Sequence, residues 1–279
     1  MGFEIYGENK IHKDGVLSAS VHNSILATSS EDDTVAIWKL PELELLAQIK
    51  AHETDVKKVV FSPDGRLLIS CSSSGDIRLW NAADLSLVKT LKEHSGEVGD
   101  ITFLAGGELL SASDDQTAKL WSLDAKSSIK TLKPGIGDVN ACAAARDKIL
   151  LGGSHLLFLD NSLSTLKKSD EYIYGINRIK INGELAFVST SMEKTLEIWD
   201  LKNLSMLKKI RNSSWINDIC FYKDKTILAM GEYLKTLNSS FETENELEAH
   251  GDEIYALAVY SDFLISGAND SSLKIWKIN

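Results

Sequence analysis

One register recurs along this chain at intervals of about forty residues, and it limits the fold more than any local motif does. Counted from His12, His52, His94, Gly135, Tyr172, Asn212 and His250, the fourth residue on is always valine or isoleucine: Val16, Val56, Val98, Val139, Ile176, Ile216 and Ile254. Seven agreements at one offset mark seven copies of one small supersecondary unit. Within a copy, short apolar or alternating runs are cut by turn residues, which is the period of strands rather than helices. In the second copy VKKVVF, RLLISC, IRLW and LSLVKTL are separated by the turns SPDG, SSSGD and NAAD, giving four strands. Proline presets φ and glycine accepts a positive φ, so Pro63, Asp64 and Gly65 suit a tight turn. Four such strands bury too little to stand alone, whereas sheets stacked radially cover each other's faces. Residues 1–279 therefore read as one all-β domain of seven four-stranded antiparallel blades.

Three further positions recur: a Ser or Thr, an Asp four residues on, and a Trp six after that. Thr28, Asp32 and Trp38 fill them in the first copy, Ser111, Asp115 and Trp121 in the third, Ser266, Asp270 and Trp276 in the seventh. The second copy has Ser74 at the Asp position and the fifth has Glu193. Copies four and six lack both the His and the Trp, and their second turn is shorter (GGSHLLFLD and MGEYLKTLN). In these residues the chain resembles the WD-repeat family of β-propellers over its whole length. The resemblance implies a seven-bladed propeller, a structural His–Ser/Thr–Asp–Trp network inside the blades, and binding of peptides or protein partners at the rim and channel mouth. The seventh copy stops one strand short, while Gly2–His12 looks like a strand with no copy of its own. This segment is expected to be the outer strand of the last blade and so to close the ring.

His, Ser and Asp are also the residue types of a hydrolase triad. A catalytic set is needed once, yet this one recurs with its Trp in copies one, three and seven. Mutual satisfaction of buried polar groups is the better reading. No phosphate-binding glycine loop, metal-ligand spacing or clustered acid–base set is present, so neither cofactor nor metal is expected, and no catalysis. Cys71, Cys142 and Cys220 are widely spaced within apolar stretches and read as reduced, buried thiols, which fits a cytoplasmic or nuclear protein better than a secreted one. No apolar run reaches the ~20 residues of a membrane span, and the first residues lack the pattern of a signal peptide.

Net charge is −10, which disfavours nucleic acid as a partner. Lysines on the outer strands, such as Lys89, Lys130, Lys167 and Lys208, are spread around the circumference and read as guards of exposed sheet edges. Strand alternation puts the turn before each first strand and the turn before each third strand at one end, here called the top. The three positions after each register residue hold Asp14, Glu53, Asp55, Glu97, Asp138, Asp252 and Glu253 against a single Lys13. Such a surface favours a partner with a basic segment. Aromatic residues collect at the top of copies five to seven: Tyr172, Tyr174, Trp215 and Tyr255. Asn140, Asn177 and Asn217 share the fifth position after the register residue in three successive copies. The expected partner-binding site joins Trp215, Tyr255 and Tyr174 as apolar anchors, the three Asn as hydrogen-bonders, and acids such as Glu97 and Asp138 as attractors. The chain thus reads as a protein-binding scaffold or complex subunit; the alternative is a propeller enzyme or small-ligand binder using the central channel.

Overall fold

A computed structural model describes residues 1–125, 127–173 and 175–279. They form 28 strands in seven four-stranded sheets, each a meander of antiparallel neighbours. The first blade is β2 (Val16–His22), β3 (Ile25–Ser30), β4 (Thr34–Lys39) and β5 (Glu44–Lys50). The second is β6 (Val56–Phe61), β7 (Leu67–Ser72), β8 (Ile77–Asn81) and β9 (Leu87–Leu91). The third is β10 (Val98–Phe103), β11 (Leu109–Ser113), β12 (Ala118–Trp121) and β13 (Ser128–Leu132). The fourth is β14 (Ala141–Ala144), β15 (Lys148–Gly152), β16 (Leu156–Asp160) and β17 (Thr165–Lys168). The fifth is β18 (Ile176–Asn182), β19 (Leu185–Thr190), β20 (Thr195–Asp200) and β21 (Ser205–Arg211). The sixth is β22 (Ile216–Tyr222), β23 (Lys225–Met230), β24 (Tyr233–Leu237) and β25 (Thr243–Glu248). The seventh has β26 (Ile254–Tyr260), β27 (Phe263–Ala268) and β28 (Leu273–Ile278), and its outer strand is β1 (Phe3–Asn9). This is the all-β, seven-bladed propeller class of fold that the repeat predicts, with the N-terminal strand completing the last blade.

β1 runs antiparallel to β28 from Phe3 opposite Ile278 to Asn9 opposite Leu273. Gly2 and Asn279 exchange backbone hydrogen bonds beyond the ladder, and Tyr6 packs edge-on against Phe263 at 5.0 Å between ring centroids. Among the described residues, no helix is long and apolar enough to cross a membrane.

The described chain divides into two compact units. One comprises Met1–Ser72, Arg78–Lys89 and Asn217–Asn279; the other comprises Ser73–Ile77 and Thr90–Ile216. In both, the core lies between neighbouring blades. In the first, Leu26 and Trp38 of one blade pack with Ile265 and Ile275 of the next, and Ala27 and Val35 pack with Val59 and Leu68. In the second, Leu110 and Ala112 pack with Ile149 and Leu157, and Leu150 and Phe158 with Ile179 and Trp199. The seven register valines and isoleucines are all fully buried. Each Leu, Ile or Phe withdrawn from water here contributes about 1.5–3 kcal/mol. The fourth blade packs by close approach, as the seventh does at Gly267 against Val16. A side chain at Gly152 would meet Ile176 Cγ2 at 2.7 Å, so only glycine lets β15 pack directly on the neighbouring blade. All three cysteines are buried and none forms a disulfide.

Candidate interaction site

The register residues sit where two turns of each blade meet. A backbone hydrogen bond ties these turns together: Glu31 N–H to Gly15 O, Asp114 N–H to Glu97 O, Ser191 N–H to Gly175 O, and Asn269 N–H to Glu253 O. In these four blades both turns therefore lie at one end, the end from which Asp14, Glu97 and Asp252 project.

Below the turns lies the repeated polar network. In the third blade His94 Nδ1 is 2.7 Å from Asp115 Oδ2, His94 Nε2 is 2.7 Å from Ser111 Oγ, and Trp121 Nε1–H donates to the same Ser111 Oγ at 2.9 Å. Burial lowers the pKa of His94, so the ring is neutral near pH 7. Nδ1–H then donates to the carboxylate and Nε2 accepts the Ser111 hydroxyl proton. Burial alone would raise Asp115, but hydrogen bonds from Thr117, His94 and the Ser95 N–H outweigh it and hold the carboxyl at about 2. The seventh blade keeps His250, Ser266 and Trp276, but there His250 Nδ1 meets the Ser272 hydroxyl at 2.7 Å with Asp270 behind it at 3.6 Å, and burial pushes His250 down to about 4. The first has His12, Thr28 and Trp38, with His12 Nδ1 at 3.0 Å from the Thr34 hydroxyl and 3.4 Å from Asp32. The second keeps His52, Ser70 and Trp80. Ser111 and Trp121 are fully buried. A hydroxyl closed off from solvent and already bridging an indole and an imidazole cannot attack a substrate, so the network serves the fold.

The fifth blade solves the same problem with different chemistry, which the sequence reading missed. Tyr172 replaces the His, and its hydroxyl donates to Glu197 Oε2 at 2.6 Å. Trp199 Nε1–H donates to that oxygen at 3.0 Å, and Lys209 Nζ lies 2.9 Å from Oε1. Burial, reinforced by the Glu197 carboxylate, raises the Tyr172 phenol far above its ordinary range. The position two before the blade Trp is a cation in three other blades, Arg78, Lys119 and Lys274. The sign inversion at Glu197 was the available signal.

In the first unit the top is acidic. Burial raises the pKa of Glu31, and the carboxylates of Asp14 and Asp55 raise it further, with Lys57 opposing. Tyr255 is half-buried, and burial together with the Glu253 carboxylate pushes its phenol up to about 12. Asp252 Oδ2 accepts from Asn269 Nδ2 at 2.8 Å. Asn217 is buried on β22 in this unit.

In the second unit Trp215 is 39% exposed. Asp138 is exposed and Glu97 half-buried. Asn140 Nδ2–H donates to Ile176 O at 3.4 Å and Asn177 Nδ2–H to Ile216 O at 2.8 Å, so each amide already spans to the segment leading into the next blade. Asp100 and Arg178 on the inner strands approach to 3.9 Å. Tyr174 lies outside the described residues. At the opposite ends of the blades are grooves of about 550 Å³, beside His22, Phe61 and Arg66 in the first unit, and about 850 Å³, beside Arg146 and Glu184 in the second. Among the described residues, none of the expected site residues lines them. Among the described residues no group of three or more His, Cys, Asp or Glu could hold a metal ion.

Fold and repeated network together define a propeller whose blades are locked by His, Ser/Thr and Trp. The family model for the WD domain, G-beta repeat (WD40) matches residues 6–39, 43–81, 85–122 and 241–277, more than half of the chain, and the chain belongs to that family. The matches fall on the blades that hold both His and Trp. Among curated proteins the chain is similar to the probable cytosolic iron-sulfur protein assembly protein 1 of Candida glabrata, 40% identical over 78 residues, covering 23% of each chain. It is 24% identical over 191 residues to the kinesin-like protein KIF21A of Homo sapiens, covering 61% of this chain and 11% of that one. It is 41% identical over 46 residues to the guanine nucleotide-exchange factor SEC12 of Rattus norvegicus, covering 16% of this chain and 11% of that one. The aligned stretches thus span less than a quarter of each relative's length.

Proposed function

We propose that this chain is a non-catalytic platform that binds protein partners through the loops at the top of its blades, and that a partner offers a basic segment to them. The observation that carries the reading is the carboxylate set of the first unit, where Glu31 is raised by burial and by Asp14 and Asp55. Carboxylates held this close repel one another, and a lysine or arginine arriving between them relieves that repulsion. Tyr255, beside Glu253, supplies an aromatic surface in the same unit. In the second unit Trp215, Glu97 and Asp138 are the corresponding candidates. A small ligand held by Asp100 or Arg178 on the inner strands is less well supported, because these two answer each other's charge. The printed name of the Candida glabrata relative points to cytosolic iron-sulfur protein assembly as one setting for such binding.

The test is titration of a fluorescent lysine-rich peptide into wild type and an Asp14→Asn/Glu31→Gln/Glu253→Gln variant at two salt concentrations. The reading expects tighter binding at low salt and at least tenfold weaker binding by the variant. Equal, salt-independent affinities would overturn it.

A further inference from the structure

Three neighbouring top loops of the second unit expose large apolar side chains. Ile173 is 78% exposed, Met192 56% and Trp215 39%. The loops are fastened to one another. Ser191 N–H donates to Gly175 O at 3.1 Å, Asn212 N–H donates to Lys194 O at 2.8 Å, and Lys194 Nζ reaches Ser213 O at 3.2 Å. Below Ile173, Tyr172 is fixed through its bond to buried Glu197. The patch is therefore held in place before any partner arrives, which lowers the ordering cost of binding. Exposed apolar groups brought together on rigid loops mark contact surfaces.

The charge beside them says what kind of contact. Glu193 follows Met192 on the middle loop and reaches the loop of Ile173. Its Oε1 accepts the Ile173 N–H at 3.3 Å, while its Oε2 is shielded from solvent with no hydrogen-bond partner among the described residues. Asp170 and Glu171 are exposed on the loop that carries Ile173. These three carboxylates outnumber Lys194, whose ammonium is already on Ser213 O, and Arg211 at the end of β21. A carboxylate oxygen without a donor remains unsatisfied until a cation or an N–H reaches it.

We propose that Ile173, Met192, Trp215 and Glu193 form a docking site for a short peptide segment in which one apolar side chain stands next to an arginine or lysine. The apolar side chain packs against Trp215 and Met192, and the basic group meets Glu193. This rests on the platform reading and narrows it, because the acidic cluster of the first unit asks only for a basic segment while this site requires both halves of the motif.

Trp215 reports on the site directly. Trp38, Trp80, Trp121, Trp199 and Trp276 are each no more than 6% exposed, so acrylamide quenching of the protein's fluorescence reads Trp215 almost by itself. The probe is an array of seven-residue peptides, each with one Leu, Ile or Phe within two positions of one Arg or Lys, beside the same peptides with Gln for the basic residue. Affinity is measured by fluorescence polarisation and protection by acrylamide. The best basic peptides are expected to protect Trp215 and to bind about tenfold more tightly than their Gln counterparts. Trp215→Ala is expected to weaken them about tenfold. Glu193→Gln should bring the basic peptides down to the level of the Gln peptides and leave the latter unchanged, a pattern that general unfolding would not produce. Absence of protection by every peptide, equal binding of the Gln series, or wild-type binding by Trp215→Ala would each overturn the site. A protein that binds the lysine-rich peptide of the previous test and no array peptide refutes this site alone; one that binds array peptides and not the lysine-rich peptide refutes only the charge-driven reading.

Discussion

The buried carboxylate of the fifth blade gives a sharp test of how that blade is held. Glu197 is 1% exposed and accepts from Tyr172 and Trp199 while facing the Lys209 ammonium, whose side chain is 44% exposed. Replacement by Leu leaves two buried donors, the Tyr172 hydroxyl and the Trp199 indole N–H, without an acceptor. At about 1–3 kcal/mol each, the expected loss is about 4 kcal/mol. Lys209→Met removes the cation and leaves the carboxylate its two neutral donors. A buried pair broken on one side costs about 3–5 kcal/mol and a surface pair under about 1. With Lys209 half in water, about 2 kcal/mol is expected. Glu197→Gln keeps an acceptor for both donors and frees Lys209 to solvent, at about 1 kcal/mol. In urea denaturation followed by circular dichroism, 2 kcal/mol moves the midpoint by roughly 0.7 M at a slope of about 3 kcal/mol per M. The order Leu, then Lys209→Met, then Gln is the signature, and Lys209→Met should add little on top of Glu197→Leu. A neutral Glu197→Leu, or a Lys209→Met as damaging as it, would refute the assignment of the carboxylate as the shared acceptor.

Other consequences follow from the same geometry. Deleting residues 1–9 strips the outer edge of β28 and the ring contact of Tyr6 with Phe263, and should lower the melting midpoint by roughly 10 °C or more in scanning fluorimetry; an unchanged midpoint would contradict the pairing. His94 and His250 have folded pKa values below their unfolded ones, so they favour the fold while neutral. Their contribution is present above about pH 6.5 and declines as pH falls, for His250 through about 4, whereas Asp115 and Asp270 lose theirs only as pH falls from 3.8 through about 2. Urea midpoints at successive pH values should therefore fall first between pH 6.5 and 4, and this upper decline should shrink in a His94→Gln/His250→Gln protein. Ser111→Ala leaves the Trp121 indole N–H without its acceptor and His94 Nε2 without its donor, and should cost about 3 kcal/mol by the same assay. Gly152→Ala forces a methyl to within 2.7 Å of Ile176 Cγ2 and should cost about 1–3 kcal/mol; no loss would show that the blades can shift apart.

The fold was legible because its determinants are periodic. Val16 and its six counterparts are all fully buried, and except for Val139 each is the first residue of its blade's first strand. The turn chemistry was equally local: Gly65 adopts a φ of +69°, and the Ser62 hydroxyl donates to Asp64 inside the same turn. What was hidden depends on partners far away in sequence. Asn177 carries an amide that a peptide could use, but nothing in the sequence says that its N–H is spent on Ile216 O, 39 residues later. Glu197 drew no attention in the sequence because, besides Trp199 two residues on, its partners come from a loop before β18 and from β21. Ile173 and Met192 were passed over because an apolar residue in a sequence is first taken for core, and only burial distinguishes a rim residue from a packed one.

The seams between blades explain why polar residues recur beside the register. An inner strand has its free edge turned toward the next blade, whose own inner strand is not paired with it, so backbone groups there need side-chain partners. At the sixth position after the register residue, Ser18, Asp100 and Asp218 accept from the N–H of Val59, Cys142 and Leu257, each at the seventh position of the following blade. At the fifth position, Asn140 and Asn177 donate to the carbonyls of Ile176 and Ile216, each at the fourth position of a following blade. Side chains at two adjacent offsets thus cover a donor and an acceptor on the neighbouring edge. The fourth blade is bounded by such contacts on both sides although it has neither register His nor signature Trp: Asp100 reaches into it and Asn140 reaches out of it. Degenerate copies can therefore lose the internal network and keep their place, because the seam residues belong to the register and not to the network. By the same logic, partner binding lost on removing Asn140 or Asn177 would report a loosened seam as readily as a lost contact, so Trp215 and Glu193, which serve no seam, are the cleaner probes of what the top of this unit binds.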